Sequence, residues 1–207
     1  MRIALFVLAL SAACRTQTES EPPTKSAPRA YPGTLRAPDT MGPDVQWRQR
    51  VTAQWGEARK ESFEAVLSKA DAELLLVGLS PMGQPGFVLR YAGEDVEFEN
   101  RSPRELPFPP RYIVLDVQRT FFPWIPGDAP KDGERTDRID GEVIKERWVD
   151  GHLAHRSFER EDGEPAGVIA IAYDGWEPGA DAPRRAVLDN GWFGYRLTIE
   201  TVDQQRL

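Results

Sequence analysis

The sequence predicts a mainly β domain with one inserted helix, an α+β fold built on an antiparallel sheet. Apolar and polar residues alternate in many short runs, which is the pattern of strands with one buried face. Asp-Gly and Asn-Gly dipeptides separate some of these runs, and such dipeptides favour tight hairpins. One segment between prolines has apolar residues at near-helical spacing instead. A sheet of many such hairpins can also curl into a barrel.

The expected strands follow one another from residue 47 to the C-terminus. In chain order the runs contain Trp47, Val51 and Trp55; Phe63, Ala65 and Leu67; Leu74–Leu79; Phe87, Leu89 and Tyr91; Val96 and Phe98; Ile144, Glu146 and Trp148; 152–159; Val168–Tyr173; 184–189; and Tyr195, Leu197 and Ile199. Turns are expected at Gly93, Asp150-Gly151, Glu161-Asp162-Gly163 and Asn190-Gly191.

The segment 112–122 is expected to be a helix. Pro109-Pro110 precede it and Pro123 follows it, and proline suits a first helical turn but stops a helix that runs into it. The β-branched residues of the segment leave a strand as the alternative. A helix inserted into a β sheet must bury its apolar side against the concave face of that sheet.

The N-terminus has the order of a secretory signal peptide over residues 1–13. A basic start at Arg2 precedes the apolar run Ile3–Leu10, which is far shorter than the roughly 18–20 residues that span a bilayer. Small residues then lead to Cys14, the only cysteine of the chain, and this arrangement resembles the lipobox of bacterial lipoproteins. That resemblance implies a lipidated Cys14 that holds the protein on a membrane. The alternative is an ordinary secreted protein with a chance cysteine.

Residues 14–44 are expected to be the lipidated N-terminus and an extended tether. This segment has six prolines and no Trp or Phe, and its charges cancel, so it is too poor in apolar residues to form a core. The folded domain is then expected at 45–207. Arg15, rather than Asp, follows the cysteine, which by resemblance to enterobacterial sorting rules implies the outer membrane, facing the periplasm.

Composition argues against several classes of function. A single cysteine forms no internal disulfide, and two histidines leave little room for a metal site. The net charge of −7 argues against nucleic acid as a partner. Ser80 lies in a sequence that only partly matches a nucleophile elbow, and His152 and His155 are expected on opposite faces of a strand. We therefore expect no enzyme activity, no catalytic residue, no metal and no cofactor.

Two stretches resemble LolB, the outer-membrane lipoprotein receptor. The first runs from Ala72 to Phe98 and contains an apolar strand, then Pro81-Met82-Gly83, then two further short strands. The second contains Leu106-Pro107-Phe108-Pro109-Pro110 and, after the helical segment, Trp124-Ile125-Pro126-Gly127. The resemblance covers about 47–202 and is closer still to an uncharacterised family of LolB-like bacterial lipoproteins.

This resemblance implies an incomplete antiparallel β-barrel that encloses an apolar cavity for acyl chains. The expected lining residues are Phe87, Leu89, Phe121, Trp124 and Trp148. The protruding loop Pro81-Met82-Gly83 would insert Met82 into a bilayer, whereas a tight turn with a casually exposed Met82 is the alternative. Expected partners are the membrane through Cys14, acyl chains or lipoproteins as cargo and a periplasmic carrier protein, with the protein itself a monomer.

Two functions compete at this point. The first is lipid or lipoprotein transfer to the outer membrane, driven by burial of acyl chains. The second is a structural or assembly lipoprotein whose interior is filled by its own side chains and whose surface docks a protein partner. A hydrolase is a remote third.

Overall fold

The computed structural model describes residues 31–57, 59–102 and 109–207. The predicted signal peptide, Cys14 and Leu106 to Phe108 lie outside the described residues. Within the described ranges, no helix is both long enough and apolar enough to cross a bilayer.

The expected strands are present, and one α-helix interrupts them within the described residues. The strands are β1 Val45–Trp55, β2 Arg59–Ala70, β3 Glu73–Leu79, β4 Pro85–Ala92, β5 Asp95–Asn100, β6 Gly133–Ile139, β7 Glu142–Val149, β8 His152–Arg160, β9 Val168–Asp174, β10 Arg185–Asn190 and β11 Tyr195–Arg206. Helix α1, Pro110–Phe121, lies between β5 and β6 in the chain. The prediction of a helix rather than a strand for this segment is confirmed.

All eleven strands belong to one antiparallel sheet that does not close. Its order is β5-β4-β3-β2-β1-β11-β10-β9-β8-β7-β6. The first strand, β1, pairs with the last strand, β11, in the middle of the sheet. Strands β5 and β6 form its two edges. The predicted fold class, a mainly β incomplete barrel with an inserted helix, is confirmed in this open form.

Each long strand turns one row of side chains inward, as the alternation in the sequence predicts. In β1 every second residue from Val45 to Ala53 is buried, including the polar Gln49, and the alternate positions such as Arg48 and Arg50 are more exposed. Since side chains of a strand alternate between the two faces, this register fixes a concave apolar face and a convex polar one.

Helix α1 lies against the concave face and divides the core into two clusters. Leu115 belongs to the cluster formed with β7 to β11, and Val114 to the cluster formed with β1 to β4. Proline at the first helical turn and Pro123 just beyond the last turn fix its ends, as expected. The sequence did not indicate that the polar residues Gln118 and Arg119 would be fully buried as well.

The reason is a segment that covers the helix, residues 31–44, which we call the strap. Tyr31 and Met41 of the strap are only 3% and 1% exposed and belong to the two core clusters, one each. Residues 31–44, expected to belong to the extended tether, thus pack on the core that the strands form. Apolar residues spaced along a proline-rich segment can be buried one at a time on an existing core.

Hydrogen bonds to its main chain hold the strap in place. Gln118 accepts from the Arg36 amide and donates to the Arg36 carbonyl, both at 2.9 Å. Arg119 donates to the Pro32 carbonyl at 2.8 Å, and Lys69 donates to the Gly42 carbonyl at 2.7 Å. Gly33 has φ +106, and a Cβ there would lie 2.5 Å from Arg119 Nη2, so only glycine fits beside this guanidinium.

Arg119 is the most deeply buried charge of the described residues and is compensated on several sides. It forms an ion pair of 2.6 Å with Glu142, which is 1% exposed. Its guanidinium carbon lies 4.8, 5.0 and 5.2 Å from the rings of Tyr31, Trp192 and Phe158. Such partners are required because an unpaired buried charge is strongly destabilising.

A second buried polar group, Asp116, joins the helix to the strap and to strand β11. Tyr31 and Tyr195 each donate a hydrogen bond to its carboxyl group, and Asn190 donates to both phenol oxygens at 2.9 Å. Burial raises the pKa of Asp116 to about 6, against the opposing effect of the two phenols and Arg119.

The raised pKa of Asp116 predicts a pH dependence of stability. The unfolded chain releases this proton first as the pH rises from 3.8 to about 6, so the stabilisation present below that window is lost across it. Relative to an Asp116→Asn variant, whose side chain does not ionise, the free energy of unfolding of the wild type should fall by up to about 3 kcal/mol. Urea unfolding at about pH 4 and about pH 7 measures this difference. Parallel pH profiles of the two proteins would contradict it.

A second prediction concerns Gly78 in β3. A Cβ at this position would lie 2.1 Å from the ring of Phe87, which crosses the strand there. Gly78→Ala should therefore push the ring aside and destabilise the domain by about 1–3 kcal/mol. Gly86→Ala is the control, because its Cβ would meet only backbone atoms at 3.6 Å or more. Equal denaturation midpoints for the two variants would show that the ring yields freely.

Candidate functional site: an exposed methionine turn and a phenylalanine row

The turn between β3 and β4 presents Met82 to solvent on a defined backbone. The Ser80 amide donates to the Gln84 carbonyl at 2.7 Å, and the Gly83 amide donates to the Ser80 carbonyl at 2.8 Å. Met82 is 87% exposed, the highest value among the exposed large hydrophobic residues. Gly83 has φ +76, which glycine adopts without strain and which closes the turn. Pro81, Met82 and Gly83 thus form a tight turn with an exposed apolar tip.

Three phenylalanines on β2, β4 and β5 lie close to this turn on the concave side. The rings of Phe63 and Phe87 are 5.9 Å apart, as are those of Phe87 and Phe98. All three are half-buried and pack against the core cluster of β1 to β4. We call them the phenylalanine row. Gly78 makes the row possible, because the missing side chain leaves room for the Phe87 ring.

Helix α1 adds half-buried apolar residues to the same side of the core. Ile113, Val117 and Phe121 pack against the cluster to which the phenylalanine row belongs. The ring of Phe121 also lies 5.2 Å from that of Trp47 on β1. Partly exposed apolar side chains therefore come from both the sheet and the helix here.

The five residues expected to line a cavity are divided between the two clusters. Phe87 and Leu89 pack with β1 to β4, Trp124 and Trp148 pack with β7 to β11, and Phe121 contacts both clusters. Leu89 and Trp124 are core residues, 1% and 2% exposed. Trp124 meets Phe158 edge to face at 5.2 Å and Arg36 at 4.4 Å. A lining role stays a prediction for the half-buried Phe87, Phe121 and Trp148.

The strap covers helix α1, and its residues Tyr31 and Met41 pack into the two core clusters. Two depressions in the described surface have volumes of ≈ 460 and ≈ 510 Å³, and both are open and shallow. One lies at the β2–β3 turn around Asp71, the other between Glu177 and Arg206, and none of the five expected lining residues borders either. An enclosed cavity lined by these five residues stays a prediction.

Charges near the row are paired with one another on strand surfaces. Arg48 forms a 2.6 Å ion pair with Glu64, and Arg101 a 2.8 Å pair with Glu99. The hydrogen bond from Arg48 lowers the pKa of Glu64, and that from Arg101 lowers the pKa of Glu99. Glu64 and Glu99 directly follow Phe63 and Phe98 in their strands, so both pairs lie on the opposite, convex face of the sheet.

Ser80, His152 and His155, the residues considered for catalysis, make contacts within the fold. Ser80 Oγ accepts from the Gln84 amide at 3.2 Å within the turn. His152 stacks on Trp176 at 5.2 Å, and burial lowers the pKa of His155. In the described ranges no three potential ligands cluster as a metal site would need. Absence of enzyme activity and of a cofactor stays a prediction.

The expectation that the two histidines face opposite sides is wrong. A β-bulge opposite Arg147 and Trp148 adds one residue to β8, so that His152 pairs with Val149 and His155 with Arg147. Both partners lie on the outer side of β7, and both histidines therefore face outward. An alternating pattern predicts faces only while the pairing register is unbroken.

Sequence reasoning missed the strap and the polar groups that bind it. The signals were weak but present: Tyr31 and Met41 are isolated apolar residues in a proline-rich segment, and Arg119 and Glu142 lie far apart in the chain. The spacing of these four residues in the sequence does not indicate that they meet in the fold.

Several solved structures are similar to this chain in fold. Among solved structures, the chain is similar to a LolA superfamily protein from Nitrosomonas europaea, at 11% identity and TM-score 0.48, over 83% of this chain and 90% of that one. It is also similar to a domain from Vibrio parahaemolyticus described as an outer membrane lipoprotein-sorting protein, at 10% identity and TM-score 0.46, over 82% and 87% of the two chains. For the Mycobacterium tuberculosis lipoprotein LppX the values are 10% and 0.32, over 77% and 84%.

Similarity of this degree says nothing about what this chain binds. None of the curated protein sequences matches significantly. One family model, described as a protein of unknown function, matches residues 46–203. Because that match spans most of the chain, the protein belongs to this family, DUF3261.

Proposed function

We propose that this protein is a lipoprotein of the bacterial envelope that binds acyl chains and takes part in lipid or lipoprotein transfer to the outer membrane. Cys14 carries the lipid anchor, and the domain faces the periplasm as a monomer that receives cargo from a periplasmic carrier protein. The observation that carries the proposal is the 87% exposed Met82 on a hydrogen-bonded turn, five residues before Phe87 of the phenylalanine row.

An exposed methionine at the tip of a tight turn suits contact with a bilayer. Its side chain is flexible and apolar, so it can enter the boundary between headgroups and acyl chains. The turn beneath it is closed by two backbone hydrogen bonds, so presenting the side chain requires no refolding. The neighbouring Ser80, Pro81, Gly83 and Gln84 carry no charge that would oppose insertion.

The phenylalanine row is the place where we propose that an acyl chain binds. Phe63, Phe87 and Phe98 are half-exposed, so an acyl chain laid along them would remove apolar surface of both partners from water. Each buried CH₂ group contributes about 0.8 kcal/mol. The row begins directly after the Met82 turn, which gives cargo a short apolar path to the membrane.

A structural or assembly role that docks a protein partner is the alternative function. One observation favours it: Leu89 and Trp124, expected to line a cavity, are 1% and 2% exposed. Where these side chains are packed in the core, only the partly exposed phenylalanine row is left to bind lipid. Lipid binding by the purified protein separates the two functions.

The first test is lipid binding by the full chain extracted from membranes. Mass spectrometry should find noncovalent lipid, and a fluorescent fatty acid should be taken up. Phe87→Ser should weaken uptake about tenfold, because it removes the central ring of the row. Val202→Ser is the matched control, since Val202 is an exposed apolar residue of β11 outside the row. A chain without bound lipid and without uptake would favour the docking function.

The second test concerns delivery to membranes. Met82→Glu should leave folding and fatty-acid uptake intact and reduce transfer to acceptor vesicles about tenfold, because a carboxylate resists entry into the bilayer. Val202→Glu, 55% exposed in the wild type, adds the same charge elsewhere. Transfer that is equal in the two variants would refute the role of Met82.

A further inference from the structure

Three polar side chains on the concave face carry buried atoms that have no hydrogen-bond partner among the described residues. These atoms are Trp47 Nε1, Gln49 Nε2 and Thr201 Oγ1. Trp47 and Gln49 are only 2% and 3% exposed, so both side chains are removed from bulk water. A buried donor without a partner costs free energy, and each of these atoms therefore requires an explanation.

The three residues occupy adjacent positions on one face of the sheet. Gln49 on β1 lies directly opposite Thr201 on β11, and opposite residues of an antiparallel pair turn their side chains to the same side. Trp47 is two residues before Gln49 in β1 and shares this face. An indole, an amide and a hydroxyl, each able to donate a hydrogen bond, are thus grouped. We call these three side chains the donor group.

The other buried polar atoms without a partner in the described ranges are arranged differently. Arg119 and Arg135 each form an ion pair through another nitrogen of the same guanidinium. Trp124 contributes a single indole donor within the cluster of β7 to β11. The donor group differs from these because its members come from adjacent positions of two paired strands.

A line of paired residues across the sheet connects the donor group with the phenylalanine row. Phe87 lies opposite Gly78, and Gly78 lies opposite Ala65. Ala65 in turn lies opposite Gln49. Neighbouring strands are about 4.8 Å apart, so about 14 Å separate Phe87 from Gln49 along this line. The two residues between them have little or no side chain, so neither projects far from the sheet.

The end of helix α1 lies beside the donor group. The ring of Phe121 is 5.2 Å from that of Trp47, and the ring of Phe122 is 5.8 Å from it. Phe122 is buried, whereas Phe121 is half-buried and packs against the cluster to which the phenylalanine row belongs. A partly exposed ring therefore borders the donor group on the side of the row.

The donor group is uncharged, and this determines the acceptor that suits it. A carboxylate placed here would be a buried charge without a compensating cation, because Lys69, the buried cation of β2, is paired with Asp44. A neutral carbonyl oxygen accepts two hydrogen bonds and carries no charge. The carbonyl of an ester-linked acyl chain supplies such an oxygen at the end of an apolar chain.

We propose that the donor group binds the ester carbonyl of an acyl chain whose hydrocarbon lies along the phenylalanine row. The inference rests on the proposed function, because it requires that the protein binds acyl chains. It adds the substrate class, an esterified acyl chain rather than a free fatty acid, and the direction in which this chain lies. Membrane lipids and acylated proteins both carry such esters, so the carbonyl is their shared chemistry.

The first experiment measures which ligands depend on the donor group. The full chain is titrated with methyl palmitate, palmitic acid and hexadecane, each displacing a fluorescent apolar probe. Gln49→Leu and Thr201→Val each remove one polar group at similar size, so they should weaken methyl palmitate binding about fivefold and leave hexadecane binding unchanged. Palmitic acid, charged at neutral pH, should bind the wild type more weakly than methyl palmitate.

Thr198→Val is the matched control, because Thr198 lies on the outer face of the same strand and should affect no ligand. Equal losses for methyl palmitate and hexadecane in the two donor-group variants, or no loss for methyl palmitate, would overturn the proposal. Tighter binding of palmitic acid than of its ester would overturn it as well.

A second readout needs no ligand. Gln49→Leu removes a buried donor that has no partner in the described part of the chain, so the thermal midpoint of the ligand-free protein should rise by about 2–4 °C. Thr201→Val should shift it in the same direction with almost no change in side-chain volume. A lower midpoint in both variants would mean that these groups hold the fold, for instance through an internal water, and the proposal would be overturned.

Two further ligands identify the source of the ester. Dipalmitoyl phosphatidylglycerol represents membrane lipid, and a short peptide with a diacylated N-terminal cysteine represents an acylated protein. The ligand whose binding Gln49→Leu weakens is the source, and a loss with neither ligand overturns the proposal.

Failure of this inference is distinguishable from failure of the proposed function. A protein that binds methyl palmitate and hexadecane equally well with and without the donor group carries acyl chains but does not read their carbonyl. A protein that binds neither ligand refutes the carrier role together with this inference.

Discussion

The ion pair and aromatic contacts of Arg119 are the interaction on which the interior of this protein depends. One guanidinium joins helix α1, Glu142 on β7, the Pro32 carbonyl of the strap and the rings of Tyr31, Trp192 and Phe158. A charge that is completely removed from water must keep such partners, so helix, strap and sheet have one relative arrangement. The open barrel is thus held together by a buried polar centre beside the apolar cluster of β7 to β11.

This polar centre limits what the concave side can bind. Gln118, Arg119 and Lys69 direct their donors at main-chain carbonyls of the strap. An acyl chain in place of the strap would leave these buried groups without hydrogen bonds, which is strongly unfavourable. Apolar cargo therefore fits the phenylalanine row better than the interior, and the row adjoins the turn that carries Met82.

Most of the fold was predictable because it depends on local rules. Alternation marked the strands, Asp-Gly at 150–151 marked a hairpin, and prolines marked both ends of α1. The differences from expectation arose where local rules do not apply. The β8 bulge turned His152 and His155 to one face, and Tyr31 and Met41 bound to a core formed by residues far along the chain. The candidate site was half predicted: the Met82 turn was found, but the role of Gly78 in admitting Phe87 was not.

The sequence by itself determined the kind of sheet, the place of the helix, the exposed methionine between Pro81 and Gly83 and the membership of the DUF3261 family. These properties follow from the period of the apolar residues and from turn chemistry, which act over a few residues. Only the tertiary structure decided that Asp116, Gln118 and Arg119 are buried and that residues 31–44 cover helix α1. The physical reason is that a buried polar group takes its partners from whatever chain lies beside it, and adjacency of this kind is a property of the folded molecule.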